Sequence, residues 1–176
     1  AHQLTNASGI WWFDMWGGWY RHDEIMFEMS KMRAIAENSK NKTNSYPSAQ
    51  TVVFIDEKAY FNNPRCSDIS CSVNNIRVAM GNTGIPFDLC MVEDAKSVIG
   101  KYRAAIFTSA VPSASGKTAE DLCRRLGIPY ISLTSEKPFY ETEELREFLI
   151  SSGIHCYNSD GCVIYAGGGY MGIHSI

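Results

Sequence analysis

The sequence predicts an α/β fold built on an open parallel sheet with helices on both faces, plus an N-terminal strand-helix appendage. Three observations lead there. Short apolar runs rich in β-branched residues recur along the chain, Thr51-Val52-Val53-Phe54-Ile55 being the clearest. Segments with helical periodicity lie between them. Glycines at 84, 127 and 153 stand where those segments should stop. Strands that alternate with helices at this spacing pair in parallel through right-handed crossovers, and a flavodoxin-like sheet is the natural arrangement.

The first 20 residues differ from the rest, because residues 11–20 hold all four tryptophans of the protein. Residues 10–16 read as a short buried strand, broken by Gly17-Gly18. A helix should follow, with Asp23 near its cap and Ile25, Met26, Met29, Met32, Ile35 and Ala36 recurring on one face. Residues 38–50 are polar, contain Pro47 and read as a linker. This gives two parts, a strand-helix segment over 1–47 and a sheet domain over 48–176.

Within the second part Thr51 to Ile55 has the character of a central strand buried on both faces. A polar loop with Pro64 then leads into a helix over 70–82. Strands are predicted at 85–92, 102–108 and 128–133, and helices at 116–126 and 141–151. Residues 156–165 should form a hairpin around Asp160-Gly161, a dipeptide suited to a tight turn.

A chain of 176 residues, 45% hydrophobic, can bury one proper core. Its net charge is −3 with lysines and arginines scattered, so it lacks the basic face that a nucleic-acid or anionic-membrane partner requires. No run approaches the roughly 20 apolar residues of a membrane-spanning helix. The six cysteines lack the close paired spacing of a zinc site or a redox dithiol. Cys90 and Cys123 fall in apolar segments as small hydrophobes, whereas Cys66 and Cys71 flank a polar loop and are the pair able to join in an oxidising compartment.

Several motifs invite a chemical reading. Ser115-Gly116-Lys117-Thr118 stands between a strand and a helix, as a phosphate-binding loop would, but Val111 occupies the position of the first glycine and Pro112 has no N–H to donate. It reads as an ordinary helix start. Gly167-Gly168-Gly169 has no helix behind it and reads as a turn. His155 and His174 have no second ligand at metal-binding spacing. Ser109 sits just after a strand, where such sheets can carry a nucleophile, yet no histidine or carboxylate is spaced to activate it. No catalytic residue, metal or cofactor is assigned.

The tryptophan cluster has two readings. Aromatic faces stack on sugar rings, and Asp14 beside them is suited to bind hydroxyls. A core strand packed on the Met-rich helix explains the same residues. Strand alternation places Trp12, Asp14 and Trp16 on one face, making them the sugar-binding candidates, and Trp11, Phe13 and Met15 on the other.

Residues 11–20, with the helix after them, resemble the last strand-helix unit of the catalytic barrel in bacterial glycoside hydrolases of the family 42 β-galactosidase type. Residues 49–56, 84–89, 101–107 and 153–157 resemble the β-galactosidase trimerisation domain of that family, whose fold is similar to class I glutamine amidotransferases. The resemblance implies a bacterial parent enzyme whose two catalytic carboxylates stand on earlier barrel strands, so this chain alone would be inactive. It also implies that residues near the last barrel strand line a sugar pocket and that the following domain associates with other copies.

The expected function is therefore a non-catalytic C-terminal assembly module of a β-galactosidase-like hydrolase in carbohydrate metabolism. The expected partners are the rest of that hydrolase, carbohydrate and a homo-oligomer held partly by Trp19, Met26 and Met29. The alternative is an α/β module that binds a sugar or a flavin-like molecule at the carboxyl ends of its strands. The compartment and the parent's substrate are left open.

Overall fold

The computed structural model describes residues 5, 21–39, 49–62, 66–167 and 169–175, without the side chains of 39, 62 and 66–71. The chain divides into two compact units, Ala1–Ser48 with Tyr165–Gly172, and Ala49–Ile164 with Ile173–Ile176.

The second unit is built on four parallel strands, β1 (Thr51–Ile55), β2 (Phe87–Met91), β3 (Ala104–Phe107) and β4 (Tyr130–Ser132), in the order β2-β1-β3-β4. This is an open parallel sheet flanked by helices, with a flavodoxin-like strand order. The connections carry helices α2 (Glu57–Asn62), α3 (Cys66–Gly81), α4 (Ala95–Val98), α5 (Ala114–Leu126) and α6 (Thr142–Ser151).

Alternation along β1 explains the layers. Val53 points to one face, where it packs with Ile106 of β3, Ile76 and Met80 of α3, and Leu145 and Leu149 of α6. Val52 and Phe54 point to the other, among Ala95 of α4, Phe107 of β3, and Ala119 and Cys123 of α5. All three β1 side chains are essentially inaccessible, as a strand with helices on both sides must be. Burial also pushes the Cys123 thiol up to about 11, with the nearby Glu120 carboxylate adding to the effect. That thiol is an inert packing group.

The helix ends follow their sequences. Ser113 caps α5, its hydroxyl accepting from Gly116 N–H, and Gly127 closes that helix at φ +68°. Glu141 and Glu144 form a reciprocal capping box at the start of α6. The buried Arg146 of α6 donates to the carbonyls of Thr83 and Asn82, closing the turn after α3. Gly84 in that turn has φ +72°, and a Cβ there would fall 1.7 Å from the carbonyl oxygen of Asn158. Glycine is obligatory at this position.

Four parts differ from the sequence expectation. The helix predicted over 70–82 begins at Cys66, so Cys66 and Cys71 both stand on α3 and do not flank a loop. The polar loop after β1 contains the short helix α2, because Asp56 supplies its cap. The predicted strand over 85–92 ends at Met91, and Val92 to Lys101 instead coil through two 3₁₀ turns around α4, burying Val92, Ala95 and Ile99. The hairpin lies later than expected, as β5 (Val163–Gly167) and β6 (Tyr170–His174), with Gly169 at φ +75° in its turn. The stretch predicted as its first strand is committed elsewhere: Ile154 is buried in the core, Tyr157 N–H donates to Gly84 and the Cys156 thiol to the Thr83 carbonyl.

In the first unit, helix α1 (Asp23–Ser39) begins with Asp23 and Glu24, favourable at a helix N-terminus. Met29 and Ala36 of the predicted apolar face are half-buried, while Ile25, Met26, Met32 and Ile35 are exposed. Tyr170 donates its hydroxyl to the Ile35 carbonyl in the same unit.

Two polar groups in the sheet domain define stability tests. Thr51 is fully buried, and its hydroxyl has no hydrogen-bond partner among the described residues. An uncompensated buried hydroxyl costs about 1–3 kcal/mol, so isosteric Thr51→Val should raise unfolding stability by about 1 kcal/mol in denaturant titration. A loss of similar size would show that the hydroxyl is satisfied.

Asp88 of β2 accepts a 2.7 Å hydrogen bond from the Tyr102 hydroxyl. Burial pushes the Asp88 carboxyl up, with the Tyr102 bond and Lys101 opposing. A raised carboxyl favours folding while protonated, and that contribution is lost as pH rises through its folded-state value. Asp88→Asn keeps an acceptor for Tyr102 and removes this titration. The melting temperature of the variant relative to wild type should therefore be more favourable at pH 7 than at pH 3; a constant difference would refute the assignment.

Candidate functional site

β1 and β3 are neighbours whose chains leave in opposite directions, β1 toward β2 and β3 toward β4. In open α/β sheets the crevice at such a switch point is where ligands bind. The residues at these strand ends are Asp56 after β1 and Thr108 to Ser113 after β3.

Asp56 is 3% exposed. One carboxylate oxygen accepts from Ala59 N–H at 3.0 Å, in the first turn of α2, and the other from Ser113 N–H at 2.7 Å, at the start of α5. A single side chain thus ties the end of β1 to the loop after β3. Gly116 lies against it: a Cβ there would come within 2.4 Å of the Asp56 carboxylate and 3.0 Å of Pro112 Cβ.

The hydroxyls nearby are engaged as well. Thr108 donates to the Phe54 carbonyl at 3.0 Å and Ser109 to the Val111 carbonyl at 3.0 Å. Ser109 is buried and gives its proton to a backbone acceptor, the reverse of what nucleophile activation requires. At the rim, Lys58 reaches the Ser115 hydroxyl and the Glu93 carboxylate, each at 3.4 Å. Lys117 is exposed, and Thr118 donates back to the Ala114 carbonyl one turn earlier. The site contains an ion pair, capped helix starts and a bridging carboxylate, an arrangement that holds backbone rather than polarising a substrate.

Of the residues singled out in the sequence, Trp12, Asp14, Trp16 and Trp19 lie outside the described residues, as do the side chains of Cys66 and Cys71. Met26 is 49% exposed and Met29 half-buried on α1. Cys90, Cys123, Cys156 and Cys162 are free thiols. His155 is exposed and packs edge-on against Tyr157, and His174 is exposed on β6. Among the described residues no three His, Cys, Asp or Glu side chains converge as metal ligands, and no helix is long and apolar enough to cross a membrane.

Sequence reasoning missed Asp56. Its signal was present: an acid directly after the most apolar strand, three residues before Ala59 at the start of a short helix, is the pattern of a helix cap.

No family model, curated protein or solved structure matches the chain.

The Asp56–Gly116 contact can be tested as a pair. Gly116→Ala should destabilise the protein by about 1–3 kcal/mol through overpacking against a fixed carboxylate. Asp56→Ala should cost about 1–3 kcal/mol by leaving two buried N–H groups unpaired. The double variant should lose less than the sum, because the space the new methyl needs has been vacated. Additive losses in chemical denaturation would mean that Gly116 answers to something other than Asp56.

Proposed function

We propose that this chain is a non-catalytic C-terminal assembly module of a glycoside hydrolase resembling the family 42 β-galactosidases. Its sheet domain would correspond to the trimerisation domain, with its glutamine amidotransferase-like fold. The observation that carries this reading is the state of the switch-point crevice. The turn after β3, where an amidotransferase-like sheet would hold a nucleophile, offers only Ser109, and its hydroxyl is bonded to the Val111 carbonyl. The space beside it is spanned by Asp56. With its chemical groups bonded inward, the sheet domain acts through its surfaces. The same bonds count against the alternative of a sugar or flavin-like ligand seated at the strand ends.

In this reading Trp12, Asp14 and Trp16 contribute to a sugar pocket completed by the rest of the parent enzyme, and Trp19, Met26 and Met29 to its contacts. The exposed Met26 is consistent with such a role, since methionine and aromatic residues are enriched at interface cores.

The purified chain should show no turnover of aryl β-galactosides, and its mass in sedimentation equilibrium should rise with concentration. Turnover abolished by Ser109→Ala would replace the assembly reading with an enzymatic one. A mass equal to one chain at every concentration would remove self-association from it.

A further inference from the structure

The Asp160-Gly161 dipeptide, which the sequence suggested as a hairpin turn, stands in the fold as a bend at the surface ahead of β5. It is the one Asp-Gly pair in the chain, and no Asn-Gly pair occurs. Asp160 is exposed, and among the described residues its carboxylate meets no cation and accepts no hydrogen bond. Its own N–H is held, donating to Asn158 Oδ1 at 2.7 Å. The next one is not: among the described residues Gly161 N–H donates to no acceptor. Gly161 has φ +84°, and a Cβ built on it would meet nothing within 4 Å. Asp56 and Asp88 stand in contrast, since their carboxylates are held by fixed donors and Glu57 and Leu89 follow them.

We propose that Asp160 is a site of spontaneous covalent modification, isomerising through a succinimide to isoaspartate. The Gly161 amide nitrogen gives up its proton to water and attacks Asp160 Cγ; the new C–N bond closes a five-membered ring, and a carboxyl oxygen leaves as water. A second water opens the ring. Breaking the bond between nitrogen and Cγ restores aspartate, whereas breaking the bond between nitrogen and the Asp160 main-chain carbonyl carbon leaves a backbone that runs through Cβ and Cγ. One water is lost and one is gained, and nothing is oxidised or reduced. The attack needs an amide nitrogen clear of hydrogen bonds and of a neighbouring side chain, on a chain free to turn. Gly161 meets the demand, because the missing Cβ that permits its left-handed bend also unhinders its nitrogen. The product adds one backbone carbon between Tyr157, whose N–H is anchored on the Gly84 carbonyl, and Val163 at the start of β5. Such a surface connection accommodates a change of length without disturbing the core.

The test uses the full chain at neutral pH, aged both natively and in denaturant. Peptide mapping with electron-transfer fragmentation then distinguishes the two linkages at residue 160. Native wild type should accumulate a peptide of unchanged mass and shifted retention, isoaspartyl at that residue, at a rate within a few-fold of the denatured chain. In heavy-oxygen water the same peptide should carry the label. Asp160→Glu, which needs a larger ring, should accumulate none. Asp160→Asn closes the same ring faster, with ammonia leaving in place of water, so it reports on the backbone even where aspartate is slow. A native chain that stays unconverted at residue 160 while the denatured chain converts, in wild type or in Asp160→Asn, means that the fold holds the Gly161 nitrogen away from Cγ and overturns the proposal.

Discussion

The carboxylate of Asp56 is the constraint on which the top of the sheet depends. A buried carboxylate is costly unless its oxygens are hydrogen-bonded. Here both are, each by a backbone N–H at a helix start, and bonds of this charge-assisted kind are about twice as strong as neutral ones. The consequence spreads through the chain. The loop after β3 is held down beside β1, α5 can begin only at a fixed distance from the sheet, and the residue facing the carboxylate in its first turn must lack a side chain. Gly116 meets that demand.

Around this point the layers follow from β1. Its alternate side chains feed two separate cores, one under α3 and α6 and one under α4 and α5. Because β1 and β3 are flanked by strands on both sides and helices on both faces, their backbone and side chains are committed to the interior. Any freedom the sheet retains lies at its margins, in β2 and β4. A proline precedes each of them, Pro86 before β2 and Pro129 before β4, and Asp88 of β2 is bonded to Tyr102. Burial and the adjacent carboxylate shift the Tyr102 hydroxyl strongly upward, which keeps it a donor to Asp88.

Much of this was legible in the sequence. The strand at 51–55 was found within its observed bounds because it is apolar, β-branched and continuous. The helices over 114–126 and 142–151 were found to within two residues at either end, because Gly127 and Gly153 stop them. The four-residue helix α4 was missed because one turn carries too little periodicity to separate it from the strand before it. The hairpin was misplaced by local reasoning. Asp160-Gly161 has the composition of a tight turn, but the segment leading to it is drawn under the sheet by Ile154 and by the bond from Tyr157 to Gly84. A tertiary contact overrode a favourable dipeptide. Asp56 was missed for the opposite reason: its local signal is an ordinary helix cap, and its second partner, Ser113, is 57 residues away.

The Ser115-Gly116-Lys117-Thr118 segment shows why a motif fragment and a site are different things. In a phosphate-binding loop the glycine lets the backbone approach an anion, the lysine reaches it, and the hydroxyl completes the shell. Each residue here is accounted for by a separate structural role. Gly116 makes room for the chain's own carboxylate, and Thr118 bonds the turn behind it. Ser115 is met by Lys58 from the β1 side, and Lys117 points to solvent. The negative charge beside the start of α5 is therefore Asp56 itself. A phosphate placed there would meet a fixed carboxylate at short range in a buried setting, where like charges repel strongly. What makes the loop rigid is also what makes it unreceptive, and the same residue is responsible for both.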